Sequence, residues 1–317
     1  MSAPTPSATA FAPASASNVG PGFDILGFAV DGLGDRVTAT RRDQPGVEIA
    51  EITGDGGRLP TDAAENTAGV AALELLQRAG VTKRGVQLHV AKGMSLGSGL
   101  GSSAASAVAA VVAVDAVLEL RSDRATLLAC ALEGERLASG AIHADNVSPC
   151  LYGGFVLVRS NLPPDIVPLL VPPGLACAVV RPHVEVSTRI ARQALPREIT
   201  VERAVRQAAN LGALVAALGS GDLELLRRAL EDRIAEPRRT HLVPGFGAMK
   251  NAALAFGAIG CTLSGSGPST LALAPSLEDA ERIADAMVAS LGDVGSDRLV
   301  SSVGARGARV VDDLSPD

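Results

Sequence analysis

The feature that most constrains this chain is a glycine- and serine-rich segment, GSGLGSSA, at residues 97–104. It lies between an alternating apolar stretch at residues 86–90, typical of a strand, and an Ala- and Val-rich stretch at residues 104–118. The second stretch is predicted to be a helix that is apolar on most of its surface and therefore buried. Glycines let backbone N–H groups approach an oxyanion closely, and a helix N-terminus adds about half a unit of positive charge. The segment is therefore predicted to hold a phosphate group.

Two familiar nucleotide-binding loops do not fit this segment. A Walker A loop needs a lysine, and none occurs between Lys92 and Lys250. The dinucleotide pattern G-x-G-x-x-G fails because Ser102 or Ala104 stands where the last glycine is required. The remaining alternative to a phosphate site is a flexible turn that leads into a buried helix.

Predicted strands and helices alternate along the chain. The strands are predicted at residues 25–30, 36–39, 46–52, 86–90, 155–158, 175–180, 259–263 and 270–273. The helices are predicted at residues 104–118, 123–137, 199–218, 223–229, 249–256 and 277–291, with another that follows Asn66 and ends near Gly80. Turn-forming residues predict loops at residues 15–24 and 140–154. The chain divides into two halves between residues 160 and 175.

Length, composition and charge exclude several classes of protein. With 317 residues the chain is about twice as long as a typical domain of ~150 residues. It has six Phe, one Tyr and no Trp, so its core must be packed largely with Ala, Val and Leu. A net charge of −6 without a basic run argues against nucleic-acid or anionic-membrane partners. The four cysteines are widely spaced with no C-x-x-C pair, which argues against a zinc site or a disulfide framework.

Targeting signals are not expected either. Residues 1–13 lack a basic residue and contain three prolines, so they do not resemble a secretion leader. The uncharged stretches at residues 93–114 and 251–277 are interrupted by Gly, Ser and Pro, which leaves too few consecutive apolar residues for a membrane span of ~20. A cytoplasmic protein is therefore expected.

Three segments, in this order, resemble the GHMP kinases, the superfamily of galactokinase, homoserine kinase, mevalonate kinase and phosphomevalonate kinase. They are PASASNVGPGFDILGFA at residues 13–29, SLGSGLGSSAAS at residues 95–106 and GCTLSGSGPSTLAL at residues 260–273. One departure is Ser95, where the family usually has proline; the change removes a fixed φ angle but no group that the chemistry needs. The resemblance implies an α+β fold of two domains. It places a ribosomal-protein-S5-domain-2-like, ATP-binding half at residues 1–165 and a ferredoxin-like half at residues 166–317.

Within that superfamily the sequence is most similar to the homoserine kinase branch, through NVGPGFD at residues 18–24, HADN at residues 143–146 and EPRRTHLVPG at residues 236–245. This branch implies transfer of the γ-phosphoryl group of ATP, with Mg²⁺, to the side-chain hydroxyl of L-homoserine. The products are O-phospho-L-homoserine and ADP, in threonine biosynthesis. Two alternatives stay open: a GHMP kinase for another alcohol, such as mevalonate, or a binding protein that kept the fold and lost catalysis. Whether the chain forms a homodimer is also open.

The resemblance assigns a nucleotide site and a metal site. The residues expected to bind ATP are Asn66, Ser95, Leu96, Gly97, Ser98, Gly99, Leu100, Gly101, Ser102, Ser103, Ala104, Ala105, Gly265, Ser266 and Gly267. Mg²⁺ is expected beside the Glu135 carboxylate and the hydroxyl of Ser103, or of its neighbour Ser102. Ser103 and Asn66 have a simpler alternative role as helix N-caps. Residues 264–269 are expected to fold against the glycine segment and to organise the site more than to contact ligand.

The same resemblance assigns an amino-acid site, which must neutralise an ammonium and a carboxylate. The residues expected to bind homoserine are Asn18, Asp24, His143, Asp145, Thr188, Arg192 and Arg239, and those expected to act in catalysis are Asn18, His143, Asp145 and Asn146. The arginine fork suits a carboxylate better than lysine does. Arg238 leaves open which of two adjacent arginines faces the substrate, and a surface position is the alternative for each. Asp145 and His143 are expected to orient the hydroxyl, because a loose transition state needs no strong base.

Overall fold

The computed structural model describes residues 5–140 and 142–312, whose strands form two sheets. The first sheet consists of β1 (Ser7–Ser17), β2 (Leu26–Arg42), β3 (Gly46–Thr53), β4 (Gly85–Ala91), β5 (Phe155–Asn161), β6 (Pro164–Leu169) and β11 (Arg309–Val311). The second consists of β7 (Ala176–Pro182), β8 (Gly260–Leu263), β9 (Thr270–Ala274) and β10 (Ser296–Ser302). The helices are α1 (Thr67–Arg78), α2 (Ser102–Leu118), α3 (Arg124–Ser139), α4 (Ala144–Tyr152), α5 (Thr188–Gln193), α6 (Val201–Ser220), α7 (Leu223–Ala229), α8 (Glu236–Arg239), α9 (Phe246–Ala255) and α10 (Leu277–Ala289).

The helix that follows the glycine segment, α2, lies at the centre of the first half. It packs against β1, β2, α1, α3 and α4, and most of its residues are buried, so the prediction of a buried helix is confirmed. Its neighbours begin at predicted N-caps. The Asn66 side chain accepts a hydrogen bond from the backbone N–H of Ala68 (3.0 Å), and the Asp123 side chain accepts one from Thr126 (2.7 Å).

A single long strand, β2, replaces the two short strands predicted at residues 25–30 and 36–39, so that prediction is wrong. The ladder between β1 and β2 continues through the turn-like sequence DGLGD, with Gly34 opposite Pro13 and a register shift next to Pro13. A bulge of this kind absorbs extra residues without ending a strand. A Cβ on Gly34 would lie 2.2 Å from the carbonyl oxygen of Ala12, so this glycine allows close strand approach and does not end a strand.

A helix, α4, occupies most of the loop predicted at residues 140–154, so that prediction is also wrong. The helix forms although Pro149 lies inside it, where proline usually ends a helix. Its apolar residues Val147, Cys150 and Leu151 recur at helical spacing and are buried against β1 and β2, and this tertiary packing outweighs the local turn signals. The elements that were not predicted are β1, β6, β10, β11, α5 and α8, and all of these except β1 are short.

The second sheet has the strand order β10-β7-β9-β8, and every neighbouring pair is antiparallel. Counted within this half, the order is 4-1-3-2, with helices between the first and second strands and α10 between the third and fourth. This is the ferredoxin-like arrangement that the resemblance implies for the C-terminal half. The helices α9 and α10 pack on the sheet around buried apolar residues such as Met249, Ile283 and Met287.

The chain passes between the two sheets twice. It leaves the first sheet after β6, which pairs with β5, and returns at β11, which pairs with β1 and places Val311 opposite Thr9.

The boundary between residues 165 and 166 stays a prediction, and residues 1–4, 141 and 313–317 of the predicted segments lie outside the described part of the chain. Within that part, none of the helices has the length and apolar character needed to span a membrane.

Candidate active site

A cavity of about 300 Å³ lies at the N-terminal end of α2, where loops from both halves meet. The sequence-predicted residues that line it are Asn18, Asp24, Asn66, Leu96, Gly97, Ser98, Gly99, Gly101, Ser102, Ser103, Glu135, His143, Asp145, Asn146, Thr188, Arg192, Arg239, Gly265 and Ser266. The structure also describes Ser95, Leu100, Ala104, Ala105 and Gly267, but these do not line the cavity. One cavity therefore joins the predicted nucleotide, metal and amino-acid sites.

The glycine segment winds into α2 through left-handed backbone conformations. Gly97, Gly99 and Gly101 have φ angles of 64°, 76° and 69°, which side chains other than glycine's rarely tolerate. The N-cap of α2 is Gly101, so the alternative in which Ser103 is the N-cap is wrong. Because glycine offers no capping side chain, the first N–H groups of α2 remain available to an anion in the cavity.

The third glycine-rich motif folds against this segment. The Ser264 hydroxyl donates to the carbonyl oxygen of Gly99 (2.8 Å), and the Ser269 hydroxyl donates to that of Ser98 (2.7 Å). A Cβ at Gly99 would lie 2.7 Å from the carbonyl oxygens of Ser264 and Gly267. Only glycine allows the two loops to approach this closely, so the second half of the chain fixes the shape of the anion-binding segment.

A hydroxyl and a carboxylate meet beside the start of α2. Ser103 Oγ donates to Glu135 Oε2 at 2.6 Å, and His143 Nδ1 lies 3.6 Å from Glu135 Oε1. Ser102 Oγ is buried and has no hydrogen-bond partner among the described residues. No three His, Cys, Asp or Glu side chains in those residues form a cluster that could hold a metal. A cation at this place would therefore need a type that accepts one carboxylate, a hydroxyl, phosphate oxygens and water, as Mg²⁺ does.

The cationic end of the cavity is built around Arg192 on α5. Its two terminal nitrogens donate to the two carboxylate oxygens of Asp24 at 2.9 and 2.8 Å, a bidentate pair. The same guanidinium contacts Nε2 of His143, which can accept that hydrogen bond only if its proton is on Nδ1. The centre of the Phe23 ring lies 5.5 Å from the Arg192 guanidinium and 5.0 Å from that of Arg239, so one aromatic ring contacts both cations.

The second arginine of this end is Arg239 on α8, whereas Arg238 is exposed. Arg239 is only 3% exposed, and it donates from Nε to the carbonyl oxygen of Ala191 and from Nη1 to that of Gly265, both at 3.1 Å. Burial lowers its pKa, and the positive charge of Arg192 lowers it further. Of the two adjacent arginines left open by the sequence, the structure thus brings Arg239 to the cavity.

The acceptor end contains a buried carboxyl group. Asp145 in α4 is 2% exposed, and its Oδ1 has no hydrogen-bond partner among the described residues. Burial raises the pKa of Asp145 to about 7, and the negative charge of Asp24 adds to the rise, while His143 and Arg192 oppose it. A buried carboxyl that titrates near neutrality and still has a free oxygen suits a group that accepts a hydrogen bond or a proton from a hydroxyl.

Two asparagine side chains, Asn18 and Asn146, also line the acceptor end of the cavity. Asn18, with a φ angle of 71°, donates from Nδ2 to the carbonyl oxygen of Gly265 at 2.7 Å and accepts from the backbone N–H of Asp24 at 3.2 Å. Asn146 accepts a hydrogen bond from the Ser15 hydroxyl at 3.2 Å. The first motif is therefore tied both to the third motif and to α4.

A buried ionic network in the cavity wall was not predicted from the sequence. Lys92 contacts the fully buried carboxylate of Asp35 and donates to the Ser102 carbonyl oxygen and the Ser106 hydroxyl, each at 2.8 Å. Ser106 also donates to Asp35 at 2.6 Å. The only sequence signal was a lysine between an apolar strand and the glycine segment. Its three bonds tie β2 and β4 to the first turns of α2.

Models of two protein families match the chain. The GHMP kinases N terminal domain matches residues 66–154, and the GHMP kinases C terminal domain matches residues 202–293. The first match contains the glycine segment and Glu135, and the second contains Arg239 and the third motif.

Homoserine kinases are similar to this chain over nearly its full length. The homoserine kinase of Chloroherpeton thalassium is 45% identical over 96% of this chain and 99% of its own length. That of Arabidopsis thaliana is 44% identical over 96% of this chain and 85% of its own length. A solved structure, homoserine kinase from Cytophaga hutchinsonii, is 48% identical with a TM-score of 0.94, over 98% of this chain and 99% of that one.

Proposed function

Because this chain belongs to the GHMP kinase family and is an ATP-dependent kinase that acts on homoserine, we propose that the cavity at the N-terminus of α2 is its active site. This proposal is supported by one observation. A single cavity contains the N-terminus of α2, which can bind an anion, together with two arginines (Arg192 and Arg239) and two carboxyl groups (Asp24 and Asp145). The helix terminus suits the phosphates of ATP. The paired charges suit a zwitterionic amino acid.

The phosphates of ATP bind along the glycine segment in this proposal. The free N–H groups at the start of α2 supply hydrogen bonds and a favourable dipole. The unpartnered hydroxyl of Ser102 offers one more donor to a phosphate oxygen, and a buried hydroxyl gains from such a partner. The Asn66 side chain is already bonded to Ala68 and to the carbonyl oxygen of Pro60, so it shapes the nucleotide end of the cavity as an N-cap.

Ser103 and Glu135 would hold Mg²⁺ beside these phosphates. Their oxygens lie 2.6 Å apart, and hydroxyl and carboxylate oxygens are the hard ligands that this ion prefers. When bound, the ion neutralises charge on the phosphoryl oxygens. His143, 3.6 Å from the second oxygen of Glu135, orients that carboxylate.

Homoserine binds by exchanging partners with an ion pair of the protein. In the structure Asp24 occupies the fork of Arg192, and Arg192 Nε stays buried without a partner among the described residues. A zwitterion can replace this internal pair, because its ammonium binds the Asp24 carboxylate while its own carboxylate binds Arg192 and Arg239. A sugar offers neither partner, and mevalonate offers a carboxylate but no ammonium, so each would leave buried charge of the protein unpaired.

The side chain of homoserine then extends towards Asp145. Its hydroxyl donates a hydrogen bond to the free Oδ1, which points the oxygen at the γ-phosphorus. A bond forms between that oxygen and phosphorus, the bond to the β-phosphate oxygen breaks, and the hydroxyl proton leaves through Asp145. The metal-binding pair and this carboxyl are all present, which argues against a binding homologue that has lost catalysis. A cytoplasmic location belongs to the same proposal, since ATP is a cytoplasmic metabolite.

The experiment that tests this function is ADP release from Mg-ATP with L-homoserine, R-mevalonate and galactose as separate acceptors. Turnover of homoserine and at most slow turnover of the others is expected. Two matched controls are 4-hydroxybutyrate, which lacks the ammonium, and 3-aminopropan-1-ol, which lacks the carboxylate. Each should show a kcat/KM at least ~10²-fold below that of homoserine, because it leaves a buried group unpaired. Faster turnover of mevalonate or galactose would overturn the choice of substrate.

A further inference from the structure

The helix α6 carries a buried amide where an apolar residue is the usual choice. Its buried residues are Gln207, Leu214, Ala217 and Leu218, which follow the spacing of one helical face. The other three pack in the main core, whereas Gln207 is only 7% exposed and polar. Burying an amide is costly unless its hydrogen bonds are made, so the partners of Gln207 indicate what it does.

Every polar atom of this side chain has a partner. Gln207 Nε2 donates to the carbonyl oxygen of Pro21 at 2.9 Å and to the carboxylate of Asp232 at 3.0 Å. Gln207 Oε1 accepts from the backbone N–H of Arg233 at 2.7 Å. One side chain thus connects two segments that are more than 200 residues apart in sequence, since residue 21 and residue 232 differ by 211.

Each of these two segments is close in sequence to one charged residue of the amino-acid site, the first to Asp24 and the second to Arg239. Pro21 lies in the turn that carries Asp24, and a Cβ on Gly20 in that turn would be 3.3 Å from the backbone of Leu230, so the two segments already touch. Asp232 accepts hydrogen bonds from the backbone N–H groups of the residues that enter α8, including Glu236 at 2.7 Å. The helix α8 carries Arg239.

We propose that Gln207 is a positioning residue that sets the separation between Asp24, which receives the ammonium of homoserine, and Arg239, which receives its carboxylate. Gln207 does not line the cavity and touches neither group. The ammonium and the carboxylate of an amino acid are attached to the same carbon, so the distance between them is fixed. The protein groups that bind them must match this distance within a fraction of an ångström. Gln207 can have this role only if the cavity binds homoserine as proposed above.

The test replaces Gln207 by methionine, which is of similar length and has no hydrogen-bonding nitrogen or oxygen. The KM for homoserine should rise about 5- to 50-fold, the effect of ~1 to 2.3 kcal/mol of lost positioning, while the KM for ATP changes less than about twofold. The matched control is Asn210→Leu. Asn210 lies one turn further along α6 and donates to the carbonyl oxygen of Glu231 at 2.9 Å, in the same segment as Asp232 but with no bond to Pro21. Both KM values of this control should stay within about twofold of the unchanged protein.

Gln207→Asn provides a second variant in case the methionine variant does not fold. It keeps an uncharged amide but is one methylene shorter and cannot reach Pro21 and Asp232 together, so it should show the same selective rise in the KM for homoserine. If the unchanged protein phosphorylates homoserine and both variants keep its KM within twofold, the positioning role is wrong. An equal rise for ATP and homoserine, or the same rise in Asn210→Leu, would also contradict it. Failure of the unchanged protein to use homoserine would instead overturn the proposed function.

Discussion

Two aspartates of the site, Asp24 and Asp145, have different surroundings, which suit them to different chemical roles. Asp24 is held by the fork of Arg192 and faces the solvent-accessible end of the cavity. Asp145 is buried, its pKa is raised to about 7, and one of its oxygens lacks a partner among the described residues. Asp24 is suited to provide a fixed negative charge for an ammonium. Asp145 is suited to accept the proton of a hydroxyl, and its own charge changes with pH near neutrality.

Replacing Asp145 by asparagine tests this division. In the unchanged protein, kcat/KM for homoserine should fall as the pH drops below about 7, because the protonated carboxyl can no longer take the proton of the hydroxyl. Asp145→Asn should lower kcat by about 10²- to 10⁴-fold, the usual contribution of a positioned general base, and should remove this acidic limb. A pH–rate profile of both proteins provides the measurement. A limb that persists at the same midpoint in the variant would assign it to another group.

Glu135 is tested by its conversion to glutamine. The variant should fold normally but lose roughly 10²-fold in kcat, because the carboxylate proposed to hold the metal beside the phosphates is lost. Glu133→Gln is the matched control: Glu133 lies on the same helix and forms a surface ion pair with Arg136 at 2.6 Å. The kcat of each variant is measured against Mg²⁺ concentration, with thermal unfolding as the check on folding. Unchanged activity of Glu135→Gln at saturating Mg²⁺ would move the metal to another oxygen.

Arg239 and Arg238 form a natural pair for comparison. Arg239→Lys keeps the charge but loses the planar fork, so the KM for homoserine should rise about 10-fold or more while the KM for ATP changes less. Arg238→Lys should change neither, because Arg238 is exposed. Steady-state kinetics with each substrate varied in turn distinguish the two. Equal effects of Arg239→Lys on both substrates would mean that it supports the whole site and not the carboxylate alone.

Among the elements, the third motif supports the glycine segment partly through a residue that does not line the cavity. Ser264 does not line the cavity, yet its hydroxyl holds the carbonyl oxygen of Gly99 at 2.8 Å. Ser264→Ala should therefore raise the KM for ATP by about 2- to 10-fold, the usual net value of one hydrogen bond, with little change for homoserine. Ser220→Ala removes a comparable bond, to the carbonyl oxygen of Ala216 at 2.9 Å, far from the motif, and serves as the control. If both variants behave alike, the motif does not organise the segment.

The sequence predicted some elements well and missed others for identifiable reasons. Helix α2 was predictable because thirteen of its seventeen residues are Ala, Val or Leu and the helix follows a glycine segment, so local composition and structure agree there. Helix α4 was not, because Pro149 and nearby glycines signal a turn while the stabilising contacts come from β1 and β2. The matched motifs also predicted most of the cavity residues, but not Lys92, whose partners lie on two separate elements, β2 and α2.

For the whole molecule, the sequence predicted two halves of mixed strands and helices and the ferredoxin-like topology of the second, through its resemblance to a family. The contacts that join the halves could not be predicted from periodicity. The bond between Gln207 and Pro21 and the pair of Arg192 with Asp24 each link residues more than 160 positions apart, at sequence separations of 186 and 168. Such pairings depend on how the two sheets meet, which local patterns do not encode.

The return of β11 to the first sheet has a consequence for how the protein is made. Thr9 and Phe11 pair with Val311 and Arg309, so β1 receives this neighbour only after the 302 residues that follow Thr9, up to Val311, have been added to the nascent chain. Until then that side of β1 presents unpaired backbone groups, a common starting point for association between nascent chains. Because the last contact closes so large a loop, it should also be among the slowest to form. The order of synthesis thus leaves the first half open at one edge while the second half folds beside it.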